Sequence, residues 1–297
     1  MKQFTSSNQM KAFMKKESER LNIDISNAYS TFTARTILER VSHNDKNNDI
    51  IVKGSSAEIA YLGRLARAIT DVDLATVKNF ELCSDTLNKV FGTSDIDQFN
   101  IVFNKDISRT NTGIYKMHLK ANFDKISQPI GIDFQENYSR LIEPEKREMP
   151  CIFEGDEPFE IYLPSFEEYL AEKLCIILET NKPDVLNTRV KDFYDIYQLH
   201  GGEYDSEKLT DYFGKVIKLR NKIKLEDAST MRLNKDFISE HESVWDSTRK
   251  KYDFLDQEID LAGAVYYTRA VLREQLQKNG QPMEDNISIQ YQKKPRK

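Results

Sequence analysis

Asp71 and Asp73, one residue apart in the stretch RAITDVDL, are of a type and spacing that could do chemistry. If DVDLATV is a strand, side chains two apart share a face, so both aspartates point one way and Val72 and Leu74 point the other. Their Cα atoms would lie about 6–7 Å apart. Two carboxylates at that range repel unless a cation sits between them. Mg²⁺ is the usual remedy, because it binds through one or two carboxylates while substrate phosphates complete its shell. Taken alone, the pair also suits a polar strand end.

Three further elements bear on that choice. In KGSS, Gly54 lets the backbone turn tightly between strand and helix, and Ser55 offers a hydroxyl and an amide to a phosphate. In PIGIDFQ, Ile130, Ile132 and Phe134 share one face and leave Asp133 on the other. Set beside the Asp-x-Asp strand, Asp133 would complete a carboxylate triad able to ligate a metal and accept a hydroxyl proton; a structural Asp133 is equally open. The stretch EYLAEKLCIILETNKPDVLNTRVKDFYDIYQL places Lys173, Arg189, Lys191, Asp192 and Asp195 in two expected helices. Asp192 and Asp195 stand at i and i+3, and Lys191 and Asp195 at i and i+4, so each pair shares a helix face. An ordinary salt-bridge ladder would look the same. Yet Glu172 and Lys173 interrupt the apolar face of YLAEKLCII, where a charge needs a partner.

Strands and helices must position these groups. Apolar residues at Met10, Phe13, Met14 and Leu21, and again from Tyr29 to Val41 after a cap-like Ser26, predict two helices before the first strand, DIIVK. A helix over SAEIAYLGRLAR, the strand DVDLATV and a helix over ELCSDTLNKVFG follow, then strands FNIVF, IYKMHLKANF and PIGIDFQ. In the second of these, Tyr115, Met117, Leu119 and Ala121 alternate with Lys116, His118, Lys120 and Asn122, as in a sheet with one covered and one wet face. Beyond IFEGDEPFEIYLP the pattern turns helical, over SFEEYLAEKLCIILET, VLNTRVKDFYDIYQLH, SEKLTDYFGKVIKL and EIDLAGAVYYTRAVLREQLQ. The expected class is α+β: a mixed-sheet domain with N-terminal helices over 1–160, a helical domain over 161–285 that contributes site residues, and a flexible basic tail over 286–297.

Composition narrows the rest. A chain of 297 residues, 39% hydrophobic and 31% charged, has the make-up of a soluble globular protein. It carries neither a run of about 20 apolar residues nor a signal-like start, so the expected location is the cytoplasm, with no membrane partner. A net charge of −5 argues against a surface that grips nucleic acid everywhere, but not against a local basic patch such as KLTDYFGKVIKLRNKIK or QYQKKPRK. Cys83, Cys151 and Cys175 are far apart and read as buried thiols. His43, His118, His200 and His241 show no ligand spacing, and no phosphate loop, dinucleotide fingerprint, serine elbow or zinc helix motif occurs.

The run Lys-Gly-Ser, then Arg-x-x-x-Asp-x-Asp, Ala-Glu-Lys-Leu and Arg-x-Lys-Asp-x-x-Asp resembles the abortive-infection nucleotidyltransferase toxins of the AbiEii/AbiGii family, a branch of the DNA polymerase β-like nucleotidyltransferases. The resemblance spans about residues 25–200. It implies a polymerase β-like sheet domain followed by a helical bundle, and Mg²⁺-dependent transfer of a nucleoside monophosphate with release of pyrophosphate. Carried over by motif, Asp71 and Asp73 would ligate Mg²⁺, Gly54 and Ser55 would hold the triphosphate, and Arg67 would support it. Lys173 would contact the triphosphate, Asp192 with Arg189, Lys191 and Asp195 would complete the site, and Asp133 would be the third carboxylate. Members commonly carry Ser or Thr two residues after the arginine, where Ile69 stands here and the hydroxyl follows at Thr70. The resemblance further implies a growth-inhibiting toxin with a cognate antitoxin and an RNA acceptor such as the 3′ end of a tRNA, which the basic KVIKLRNKIK helix would suit. GTP, CTP and UTP stay open as donors. A small-molecule or protein acceptor, and a GTP-binding module without turnover, are the rival readings.

Overall fold

Near the start of the chain the apolar spacing becomes α1 (Ser7–Leu21) and α2 (Ile25–Asn44). The Ser6 hydroxyl accepts from the Gln9 N–H to open α1. Asp24, rather than Ser26, occupies the cap position of α2. The structure is a computed structural model that describes residues 2–45, 48–111, 113–138, 144–180, 186–220, 222 and 233–280. It separates into unit 1, Met1–Ser165 with Tyr252–Leu255, and unit 2, Phe166–Lys251 with Asp256–Lys297.

Unit 1 continues with β1 (Ile51–Val52), α3 (Gly54–Leu62) and β2 (Asp71–Ala75). A short 3₁₀ turn (Phe80–Cys83) leads into α4 (Ser84–Val90). The strands β3 (Asn100–Phe103), β4 (Ser108–Arg109), β5 (Ile114–Phe123) and β6 (Ile126–Gln135) come next, followed by β7 (Glu145–Met149) and β8 (Phe159–Leu163). The main sheet runs β1-β2-β6-β5-β3, with β4 also on β5, while β7 and β8 form an antiparallel hairpin. Within the main sheet β2 and β6 are parallel, and the other pairings are antiparallel. Met117, Leu119 and Ala121 of β5 are buried with Ile130, Ile132 and Phe134 of β6 and Val72 and Leu74 of β2, so the expected period of two holds across all three strands.

Helix α2 packs on β6 and brings two arginines into the interior. The Arg40 guanidinium meets the Asp97 carboxylate through Nε and Nη2 at 2.6 Å and donates to the carbonyls of Val90, Gly92 and Phe99. The Arg35 Nε lies 2.8 Å from Asp156 Oδ2, and its guanidinium sits over the Phe159 ring. The Arg40 charge can stay buried this way because its donors are matched, while Arg35 is held by the nearby Asp156 charge, with its Nε making no hydrogen bond. Phe32 adds an aromatic cluster with Phe4, Phe99 and Phe153, at centroid distances of 5.2–6.0 Å.

Two expectations need correction, and further elements come in addition. The helix expected over SAEIAYLGRLAR stops at Leu62, because Gly63 takes a left-handed φ of 65° and closes it. Cys151 is exposed, whereas Cys83 and Cys175 are buried. The hairpin β7–β8 and a helix over Lys235–Tyr252 were not anticipated.

Unit 2 contains α5 (Phe166–Thr180), α6 (Lys191–Gln198), α7 (Ser206–Arg220), α8 (Lys235–Tyr252) and α9 (Leu261–Lys278). Helix α5 packs on α7 and α9 on α6. His241 is a structural residue: its Nε2 accepts from the Asn187 N–H at 3.0 Å, so the proton is on Nδ1, which donates to the Phe237 carbonyl at 2.7 Å. On the basic face expected on α7, Lys215 pairs with Asp211 and Arg220 with Glu179. Residues 223–224 and the 286–297 tail lie outside the described residues. Among those residues no helix is long and apolar enough to cross a membrane.

Arg40→Met should leave Asp97, whose side chain is 2% exposed, as a buried carboxylate without its cation. The expected loss of stability is about 3–5 kcal/mol, read from urea unfolding of the variant against the parent.

Candidate active site

The site of unit 1 is organised by strand register. Parallel pairing sets Asp71 beside Gly131 and Asp73 beside Asp133. Residues paired in register share a face, so Asp71, Asp73 and Asp133 stand together on the side of the sheet opposite the buried Val72, Ile132 and Phe134. All three aspartates are partly exposed. The Thr70 hydroxyl lies 3.3 Å from Asp71 Oδ1.

The turn from β1 into α3 closes against this face. The Lys53 N–H donates to the Asp73 carbonyl at 2.9 Å. Gly54 then takes a φ of +59°, and a Cβ on it would lie 1.9 Å from Asp73 Oδ2 and 2.7 Å from Asp73 Cγ. Glycine is therefore required twice, for the left-handed backbone and for the space of a missing carbon. Ser55, 4% exposed, follows as the second residue of α3, where the free amides of the first turn and the positive end of the helix dipole favour an anion.

One neighbour had not been singled out. Lys116 of β5 is the register partner of Asp133, and its Nζ lies 2.8 Å from Oδ2 and 3.2 Å from Oδ1. Its place among the wet residues of IYKMHLKANF was visible in the alternation, but the strand that it faces was not.

Arg67 is 3% exposed, with its guanidinium 5.4 Å from the Tyr252 ring centroid and Nη1 3.5 Å from the Ala68 carbonyl. The Ala68 N–H donates to the Tyr252 carbonyl and the Leu255 N–H to that of Ala66, while the Ile69 N–H donates to the Thr31 hydroxyl. Arg67 thus lies in a clamped segment that leads into β2.

The remaining expected residues gather within unit 2. The Lys173 Nζ lies 2.9 Å from Asp192 Oδ1 and 2.6 Å from Asp195 Oδ2, and all three residues are buried. Arg189 Nε is 2.9 Å from Asp192 Oδ2 with its side chain 46% exposed. Arg189 precedes α6 rather than belonging to a helix, because the helix starts only at Lys191, which is half-buried. The partner that Lys173 needed inside an apolar face is this pair of aspartates.

Burial pushes the Asp192 carboxyl up, but Lys173 and Arg189 outweigh it and hold the group below its ordinary value. A carboxyl lowered by folding adds stability that is complete above the ordinary 3.8 and is lost as the pH falls through the folded value.

The chemistry of the donor set suits a hard cation, since carboxylate oxygens are what Mg²⁺ prefers. Among the described residues no group of three or more His, Cys, Asp or Glu gathers closely enough to hold a metal. The expected triad with Asp133 is thus not gathered as a metal-holding group; Asp71 and Asp73, two apart on one strand face, would be the protein ligands, with phosphate oxygens and water for the rest. A face of this kind beside a glycine–serine helix start is suited to handling a nucleoside triphosphate.

Comparison with known proteins agrees. The family described as "Nucleotidyl transferase AbiEii toxin, Type IV TA system" matches residues 36–276. The chain belongs to this family of nucleotidyltransferase toxins. Among solved structures, MenT4, a nucleotidyltransferase toxin from Mycobacterium tuberculosis H37Rv, aligns with a TM-score of 0.59 at 15% identity, covering 90% of this chain and 98% of that one. That likeness shows a shared fold. JHP933 from Helicobacter pylori aligns with a TM-score of 0.48 at 15% identity, covering 84% and 92%. No curated protein matches the chain. The α+β class is as expected, the chain is a nucleotidyltransferase of a type IV toxin–antitoxin system, and its family implies a nucleotide substrate and a cognate antitoxin.

Two outcomes follow. Gly54→Ala should cost at least about 1 kcal/mol through the left-handed backbone alone, displace Asp73, and reduce nucleotide transfer by two orders of magnitude or more, as measured with labelled triphosphate. Lys173→Met should lower stability by about 3–5 kcal/mol at neutral pH. In the parent, urea midpoints should fall as the pH is taken below about 3.8, and in the variant that acid-dependent loss should shrink.

Proposed function

We propose that the chain transfers a nucleoside monophosphate from a nucleoside triphosphate to the terminal hydroxyl of an RNA, a tRNA 3′ end being the first acceptor to test, with Mg²⁺ as cofactor, and that this modification arrests growth. The register that sets Asp73 beside Asp133 is the observation that carries the reading. One strand offers a pair of metal ligands, and its parallel neighbour offers a carboxylate on the same face.

In this reading Asp71 and Asp73 would hold the cation, and when bound it would supply charge neutralisation for the triphosphate. The amides and hydroxyl at Gly54 and Ser55 receive phosphate oxygens at the start of α3. Asp133 takes the proton from the acceptor hydroxyl, whose oxygen bonds to the α-phosphorus as the bond from that phosphorus to the bridging oxygen breaks. Lys116 holds the Asp133 carboxylate through both oxygens until that exchange. Catalysis rests on positioning and charge more than on covalent chemistry. In unit 2, the half-exposed Arg189 and Lys191 are proposed phosphate contacts, which Lys173, Asp192 and Asp195 brace from within.

The test incubates purified protein with Mg²⁺, each labelled triphosphate in turn and total cellular RNA. Label is expected on RNA; label on protein or a small metabolite instead would redirect the acceptor. Asp71→Asn and Asp73→Asn should each lower transfer about 10²–10³-fold while their thermal unfolding midpoints stay within a few degrees of the parent. Turnover like that of the parent in both variants would remove the proposal.

A further inference from the structure

The open face of the unit 1 sheet continues beyond Asp133. Antiparallel register sets Lys116 beside Asp133, His118 beside Gly131 and Lys120 beside Pro129. Lys116, His118 and Lys120 therefore share the face that carries the three aspartates. Alternate residues on a strand stand about 6.8 Å apart, so this line of donors runs about 14 Å away from Asp133.

The floor beside it is open. Gly131 pairs with Asp71 on one side and His118 on the other, and nothing lies within 4 Å of where its Cβ would be. His118 is exposed and the Lys116 side chain is 45% exposed. The face thus changes from acidic on β2 and β6 to basic on β5, with a backbone-floored strip between.

We propose that this β5 face is the acceptor track: Lys116, His118 and Lys120 receive the phosphodiester backbone of a single-stranded RNA 3′ end and so deliver its terminal hydroxyl to Asp133. The proposal rests on the assignment of Asp133 as the base in nucleotidyl transfer. Charge complementarity selects the occupant. A net charge of −5 makes the chain as a whole repel a polynucleotide, so local groups must supply the attraction: Lys120, and Lys116 as a phosphate takes the place of Asp133 at its ammonium, with His118 as a hydrogen-bonding group between them. Helix α7 is also basic, with Lys215 and Arg220 paired with Asp211 and Glu179, but it belongs to unit 2 and not to the sheet that carries Asp133. A row spanning three alternate residues also exceeds what one phosphate needs, which favours a polynucleotide over a small acceptor.

The experiment measures binding of a fluorescent single-stranded RNA oligonucleotide with a free 3′ hydroxyl to the full chain by anisotropy, across a salt series. His118→Gln/Lys120→Gln should weaken binding about tenfold and reduce the salt slope by about 0.7, because the phosphate that Lys120 neutralises keeps its counterion. Affinity for a nucleoside triphosphate, measured by calorimetry, should be unchanged. Lys120→Arg should bind as the parent does, as should Lys15→Gln on α1. Unchanged RNA affinity and slope in the double variant, with the parent still labelling RNA, would overturn the track alone. Loss of binding in Lys120→Arg equal to that in the double variant would also overturn it, because charge would then not be what the site reads. A parent chain that labels no RNA would remove the underlying reading and the track with it.

Discussion

At Gly54 the chain passes so close to Asp73 that a single added carbon would sit 1.9 Å from a carboxylate oxygen. That approach ties together elements separated in sequence. The edge strand β1 must pair with β2 in the observed register for the turn to fall there, and the helix must begin at Gly54, directly after that strand. Because a left-handed φ and a missing side chain are both needed, the position has one chemical solution. The site of unit 1 is thus fixed by backbone, and its carboxylates are placed by a sheet that no loop movement can rearrange without breaking strand pairs.

The burial of charge in the two units follows a common logic. Arg40 with Asp97 in unit 1, and Lys173 with Asp192 and Asp195 in unit 2, are ion pairs taken out of water with their donors matched. Such pairs add little over a well-packed apolar core, yet breaking one is costly, because the survivor stays behind uncompensated. In unit 1 the buried pair anchors α2 to the loops around β3, beneath the sheet that carries the aspartates. In unit 2 it locks α5 to α6 and leaves Arg189 at the rim.

Much of this was legible in the amino-acid sequence, for definite reasons. Strict alternation in IYKMHLKANF and PIGIDFQ marked two strands and placed Asp133 on the wet face, since a period of two is strong when one face is covered. Glycine followed by serine after a short β-branched run marked the turn into α3. Other features left no local trace. Nothing in DVDL states that β2 runs parallel to β6, so neither the pairing of Asp73 with Asp133 nor the approach of Lys116 could be read. In EKREM only Met149 is buried, so β7 lacks the apolar signal of a strand. Helix α8 fills its inner face partly with His241 and Thr248, which a search for apolar spacing passes over. LGRLAR continues a helical pattern, and only the sign of φ at Gly63 ends it.

The closed Lys173 cluster has a bearing on genetics. If cells are selected for surviving expression of this chain, substitutions that silence it fall into two populations. Those at Asp71 or Asp73 strike partly exposed side chains, so under the proposed function protein accumulates but is inert. Those at Lys173, Asp192 or Arg40 strike groups whose partners are buried, so the polypeptide is cleared before it can act. A survivor's phenotype alone does not distinguish the two, whereas its protein level does. Under the proposed function, abundance therefore sorts the carboxylates assigned to substrate from those that hold the fold.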